Sequence, residues 1–313
     1  MSKSVNKLND KLSGDVASST VGRFSKQQLQ ILEFIYGYRF VSTKQVQLVL
    51  GKAQIQQAQQ RLNTLLVKEY IGRNFSSTDR LTGKYASYYL LPKGIQLLKY
   101  YGDAKVLRNI YKDRTASERF IAHCLSIGNV YADLVRIYGD KLRFWTKSQL
   151  VLDDDQYYDN PDNEHSYDCF PQPLPDGYIE VHDEDGNYGD FLLEVWHDNV
   201  PFWVYRNRIK YYVQYVYDDT WKDAVGSELP PVLLVCDSPT LQRRVQRFLK
   251  RMAGELDSDE LQFLVTNQVL LAGAKPETAI WSEYNEDEEK FIRVPFLIRT
   301  LSLRNGTRIA NPV

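Results

Sequence analysis

The chain has 313 residues, 43% of them hydrophobic and 25% charged, enough for two domains with separate cores. Apolar runs fall short of the roughly 18 residues of a membrane span, the polar start MSKSVNKLNDKLSGDVASST lacks a secretory signal's apolar core, and no Cys or His spacing makes a disulfide framework or zinc site. Net charge is −1, yet residues 1–113 carry 18 Lys/Arg against 7 Asp/Glu and the remaining 200 carry 21 against 33, so a +11 segment precedes a −12 segment. That asymmetry points to a basic, DNA-contacting half and a half with another task. A reducing, cytoplasmic setting fits the three scattered cysteines Cys124, Cys169 and Cys236.

Residues 1–22 read as a disordered arm. Leu29, Leu32, Phe34, Ile35 and Tyr36 recur near helical spacing and predict a helix over 24–37, capped by Ser25. A short helix follows, capped by Ser42 or Thr43, carrying Val46, Val49 and Leu50 and ended by Gly51. The third helix, 54–69, places Ile55, Ala58, Leu62, Leu65 and Leu66 on one buried stripe. Two β-rich runs, 70–77 and 84–91, flank a polar tip at 78–83 and read as a hairpin. A helix starts after Pro92. Helix, helix, helix, hairpin, helix is the order of a winged helix-turn-helix domain, expected over 23–113.

A long helix over 116–138 opens the second half, 114–313. A strand at 142–146 and an acidic stretch at 153–170 follow. Strands at 175–181 and 190–196 flank the turn DEDGN. A helix at 201–217, a strand at 231–236, a helix at 239–253 and a strand at 261–266 complete a mixed sheet covered by helices. The fold class is α/β (α+β). The tail after 275, with its charged turn NEDEEK and the apolar run VPFLI (294–298), has no assigned place.

The polar side of the third helix carries the candidate DNA contacts. Amides pair with adenine and guanidinium with guanine in the major groove, and Gln56, Gln57, Gln60, Arg61, Asn63 and Thr64 offer that chemistry on one element. Lys52, Lys68, Arg73, Arg80 and Lys84 surround it as phosphate partners. The plainer reading of such a face is a solvated surface; the domain order and the charge favour duplex DNA.

In the second half, Pro175-Asp176 enters one strand and Glu194 lies on the next. Antiparallel pairing would bring these carboxylates to one sheet end, where they can hold Mg²⁺ and activate a water for phosphodiester attack. Lys210, on the following helix, is the candidate for charge neutralisation. His197 and Asp198 are possible auxiliary ligands.

This pattern resembles the PD-(D/E)xK nuclease superfamily, whose αβββαβ order matches 116–236. The superfamily's lysine normally stands two residues after the second acid. Here that position is Trp196, and the resemblance implies a lysine displaced to the next helix at Lys210. Broader pieces are similar to the replication-relaxation family of plasmid and mobile-element proteins: AQQRLNTLLVKEYIGR, YYLLPKGIQLL, the run His123 to Tyr131, PDGY, FLLEVWHDN and RIKYYVQY, together spanning about 24–236. That resemblance implies a DNA-binding role in replication or relaxation of a plasmid, phage or other mobile element. The nuclease-like domain is then expected to serve dimerisation or docking of a replication or mobilisation partner. The alternatives are an active metal-dependent nuclease or nickase using Asp176, Glu194 and Lys210 with Mg²⁺, and a winged-helix transcriptional regulator. The expected partners are double-stranded DNA and, for the second half, another copy or a partner protein, with no membrane.

Overall fold

The computed structural model describes residues 24–51, 54–75, 85–101, 110–150, 169–182, 188–252, 261–275 and 278–294. They fall into two compact units, divided between Gly128 and Asn129. The expected N-terminal arm, the hairpin tip, the DEDGN turn and most of the acidic stretch and of VPFLI lie outside the described residues.

The first unit begins with α1 (Lys26–Tyr38). Ser25 caps it in a capping box: the Gln28 N–H donates to Ser25 Oγ at 3.3 Å, and the Ser25 N–H donates to Gln28 Oε1 at 3.0 Å. Strand β1 (Val41–Ser42) leads into α2 (Thr43–Val49), where Ser42 and Gln45 repeat the device at 3.3 and 2.9 Å. Gln45 then donates from Nε2 to the Leu125 carbonyl at 2.8 Å. Gly51, at φ +60, ends this turn of chain in the left-handed region.

Helix α3 (Ile55–Val67) buries Ala58, Leu62 and Leu65 completely. Ile55, expected in that stripe, is 37% exposed, because it is the first helical residue and lies beyond the end of the packed surface. Leu66 is only half-buried, one residue round from the stripe. Strands β2 (Ile71–Asn74) and β3 (Ser87–Leu90) pair antiparallel, with Gly72 opposite Tyr89, and β1 joins the far edge of β3. A Cβ at Gly72 would stand 2.3 Å from the Tyr89 ring, so any larger residue there would have to displace that ring. Helix α4 (Pro92–Tyr101) closes the unit's regular order. The first part of α5 (Glu118–Tyr138) belongs to this unit, where Cys124 packs in one cluster with Phe40 and Tyr89.

The second unit is a seven-stranded sheet with helices. Strand β4 (Leu142–Thr146) pairs antiparallel with β5 (Gly177–His182), and β5 with β6 (Tyr188–Trp196). Helix α6 (Phe202–Tyr217) and the short α7 (Thr220–Val225) lead to β7 (Val232–Cys236). Helix α8 (Pro239–Met252) leads to β8 (Phe263–Asn267), and α9 (Gln268–Gly273) follows. β6, β7 and β8 are parallel neighbours. Their near-continuous apolar runs, LLEVW, VLLVC and FLVTN, are what strands flanked on both edges and covered by crossover helices require. A hairpin of β9 (Trp281–Asn285) and β10 (Lys290–Val294) extends the β8 edge, giving the order β10-β9-β8-β7-β6-β5-β4. Its turn is the charged segment left unplaced by the sequence. The architecture is mixed α and β.

Candidate functional site

The first candidate surface is the outer side of α3. At about 100° per residue, Gln56, Gln57, Gln60, Arg61, Asn63 and Thr64 span about 160° of arc opposite Ala58, Leu62 and Leu65, and all six are exposed. Gln59 on the flank is half-buried. Its Nε2 donates to Tyr88 Oη and to Asn63 Oδ1, each at 3.3 Å, and its Oε1 accepts from Thr43 Oγ1 at 3.3 Å. This chain ties the outer Asn63 to β3 and α2, so the face is held in orientation from below. Thr64 donates its hydroxyl to the Gln60 carbonyl at 2.9 Å. Lys68 and Arg73 are exposed nearby; Lys68 Nζ lies 5.6 Å from the Phe24 ring and Arg73 stacks on Phe75 at 5.9 Å. Lys52, Arg80 and Lys84 lie outside the described residues. Helix α3 contains no carboxylate. Amides, a guanidinium and flanking cations form a donor and acceptor set suited to base edges and phosphates.

The second candidate is the pair Asp176 and Glu194. The structure brings both to the same part of the sheet. The Val195 N–H donates to Asp176 Oδ2 at 2.8 Å, and the Asp176 N–H donates to the Leu193 carbonyl at 2.8 Å. Glu194 is 7% exposed. Its Oε1 accepts from Arg208 Nε at 2.8 Å, from Arg208 Nη2 at 2.6 Å and from Tyr212 Oη at 2.7 Å. Trp196 Nε1 approaches Oε2 at 3.4 Å. Burial raises the Glu194 pKa; Arg208 opposes this and the Asp176 charge adds to it. Burial alone would lower the Arg208 pKa, but the charges of Glu194, Tyr212 and Asp176 and the hydrogen bond to Glu194 together outweigh it, so the guanidinium is held protonated.

Arg208, not Lys210, stands at Glu194. Two residues along a helix is about 200° of rotation, and Lys210 is exposed on the opposite side of α6. Arg208 and Tyr212 are the residues that a reading based on lysine passed over. Their i, i+4 spacing on a helix following a buried acid was the available signal.

These residues do not fit a magnesium site as arranged. Mg²⁺ needs carboxylate oxygens open toward a near-octahedral, largely aqueous shell. Glu194 is enclosed by three donors, and a fixed cation already holds the place beside it. Among the described residues no three or more His, Cys, Asp or Glu side chains are grouped to hold a metal ion. His197 and Asp198 have their own arrangement. His197 Nδ1 meets Asp237 Oδ2 at 2.9 Å, Ser238 Oγ donates to Asp198 Oδ1 at 2.8 Å, and Gln268 Nε2 donates to Asp237 Oδ1 at 2.8 Å. This network joins the carboxyl ends of β6, β7 and β8. Sequence reasoning missed Asp237, forty residues from its partner.

The replication-relaxation family model matches residues 32–228, more than half of the chain. This chain is a member of the replication-relaxation family. The matched span runs from α1 to just before β7, so it contains the outer face of α3 together with Asp176, Glu194 and Arg208; α8 lies beyond it. Comparison with curated proteins gives no match, and comparison with solved structures gives none. The family is described by replication and relaxation. Among the described residues no helix is long and apolar enough to cross a membrane.

Proposed function

We propose that this family member is a DNA-binding protein of a plasmid, phage or other mobile element. The first unit is a winged helix-turn-helix module in this reading. Helix α3 enters the major groove, and the β2–β3 hairpin is the wing beside the phosphate backbone. The observation that carries the reading is the outward set Gln56, Gln57, Gln60, Arg61, Asn63 and Thr64, fully separated from the helix's buried stripe and free of acidic residues. The second unit is a nuclease-like scaffold in which Glu194 is a structural anion rather than a metal ligand. It serves dimerisation or docking of a replication partner.

The test is equilibrium binding of the full chain to duplex fragments of its own element. Replacing Gln57 and Arg61 together by Ala is expected to weaken specific binding at least tenfold, since a good bidentate base contact is worth about 1–3 kcal/mol. Affinity that is unchanged removes α3 from the interface. The scaffold reading predicts no nicking of supercoiled plasmid with Mg²⁺ or Mn²⁺. Nicking that disappears in both Asp176→Ala and Glu194→Ala would overturn it.

A further inference from the structure

The acidic half of the sequence does not present an acidic surface everywhere. Helices α6 and α8 are the crossovers between the parallel neighbours β6, β7 and β8, and right-handed crossovers between strands added in one direction place both helices on one face of the sheet. They pack side by side: Phe202 of α6 meets Phe248 of α8 edge-to-face at 6.2 Å, and Tyr205, Ile209, Val245 and Leu249 share one buried core. Neither helix contains a single Asp or Glu.

Their outer faces are cationic. On α8, Arg243, Arg244, Arg247 and Arg251 are exposed within about 100° of arc and about 12 Å of axis. On α6, Arg206 and Lys210 are exposed on one stripe with Trp203, which is 57% exposed. Arg244 lies over the Phe202 ring at 4.6 Å, so the α8 cations begin beside the residue that precedes Trp203. The contacts of the α8 arginines are internal to the protein and neutral: Arg243 donates to Thr240 Oγ1, Arg247 Nε to the Arg243 carbonyl, and Arg251 Nε to the Arg247 carbonyl. Lys250, on the same side, donates to the Glu289 carbonyl. Among the described residues, no carboxylate forms an ion pair with any of these arginines or with Lys210.

A solvated helix face in a protein of this composition normally mixes both signs. Here the cations are collected on one two-helix surface to which neither helix contributes an acid; the acidic β9–β10 turn approaches it only where Lys250 meets the Glu289 carbonyl. An exposed indole beside them adds a stacking plane. A duplex, whose bases are already stacked, offers only phosphates to such a surface; an unpaired strand offers phosphates and a base for the indole. We infer that the α6–α8 face binds single-stranded DNA, with the arginines on its phosphates and Trp203 under a base. This site is separate from α3 and does not depend on the winged-helix reading.

The experiment uses the full chain and a fluorescent oligothymidine of about 20 nucleotides, titrated at several salt concentrations, with a duplex fragment and phosphatidylserine vesicles as parallel arms. Each phosphate contact to a single strand contributes about 0.7 to the log–log salt slope. Arg243→Ser with Arg244→Ser and Arg247→Ser is therefore expected to flatten the slope by about 2 and to weaken single-strand binding tenfold or more. Trp203→Ala is expected to weaken it about tenfold while leaving the slope unchanged. Arg243→Ser with Arg247→Ser alone spares the Phe202 stack and guards against misfolding; circular dichroism checks each variant. Arg61→Ala reports on α3 in the duplex arm, so loss there with single-strand binding intact concerns α3 alone. Single-strand affinity and slope unaltered by the arginine variants, or binding of vesicles in place of the oligonucleotide, overturns the inference.

Discussion

Arg208 and Glu194 show how strongly burial constrains a single residue pair. Glu194 is 7% exposed, and the Arg208 side chain is 11% exposed. Removing one partner strands the other as an uncompensated buried charge. Arg208→Ala is expected to cost about 3–5 kcal/mol in urea unfolding. Lys210→Ala, two residues away on the exposed side, should stay within about 0.5 kcal/mol. Replacing both members, Glu194→Met with Arg208→Met, should recover much of the loss, because neither charge then remains to be desolvated. Equal costs for Arg208→Ala and Lys210→Ala would remove the structural role assigned to the pair. The sequence contained both acids and the right helix, yet spacing alone could not say which of two cations two residues apart faces inward. That choice depends on the rotation of α6 against the sheet, set by Tyr205, Ile209 and Tyr212.

Among the elements, those with local signals were legible. Ser25 and Ser42 cap their helices through the reciprocal Gln contacts that a serine followed three residues later by glutamine predicts. The strand at Leu142–Thr146 and the helices α5, α6 and α8 lie within two residues of their expected bounds. The β9–β10 hairpin was not legible. WSEYN and KFIRV have weak alternation, and their place is fixed by pairing to β8, a contact far from them in sequence. Close approaches were also hidden. A Cβ on Gly94 would stand 2.3 Å from the Tyr70 carbonyl, backbone that cannot yield, so Gly94→Ala should destabilise by about 1–3 kcal/mol. Gly273 ends α9 with open space around it, and Gly273→Ala should stabilise by about 0.4–1 kcal/mol through the unfolded chain. Thermal melts of the two variants moving in the same direction would contradict this.

For the molecule as a whole, buried acid and the division of charge each have a testable consequence. One is pH dependence. Burial raises the Glu180 pKa above its ordinary 4.5, although His182 and Arg143 oppose it, so the folded chain holds this proton more tightly than the unfolded chain. The stability it contributes is fully present below 4.5 and is lost as pH rises through the raised folded value. The melting midpoint should therefore fall more between about pH 5 and pH 8 in the wild type than in Glu180→Gln. Identical pH profiles would show that Glu180 is not linked to folding.

The other is the proposed binding of the basic first unit to duplex DNA, and its most direct test is the salt dependence of duplex binding by the intact chain. If Lys68 and Arg73 each neutralise one phosphate, replacing both by Ala should flatten the log–log slope by about 1.8, at about 0.9 per contact. A slope that survives the double replacement, or a chain that ignores duplex DNA at about 50 mM salt, would contradict the assignment of α3 and its neighbouring strand to the DNA.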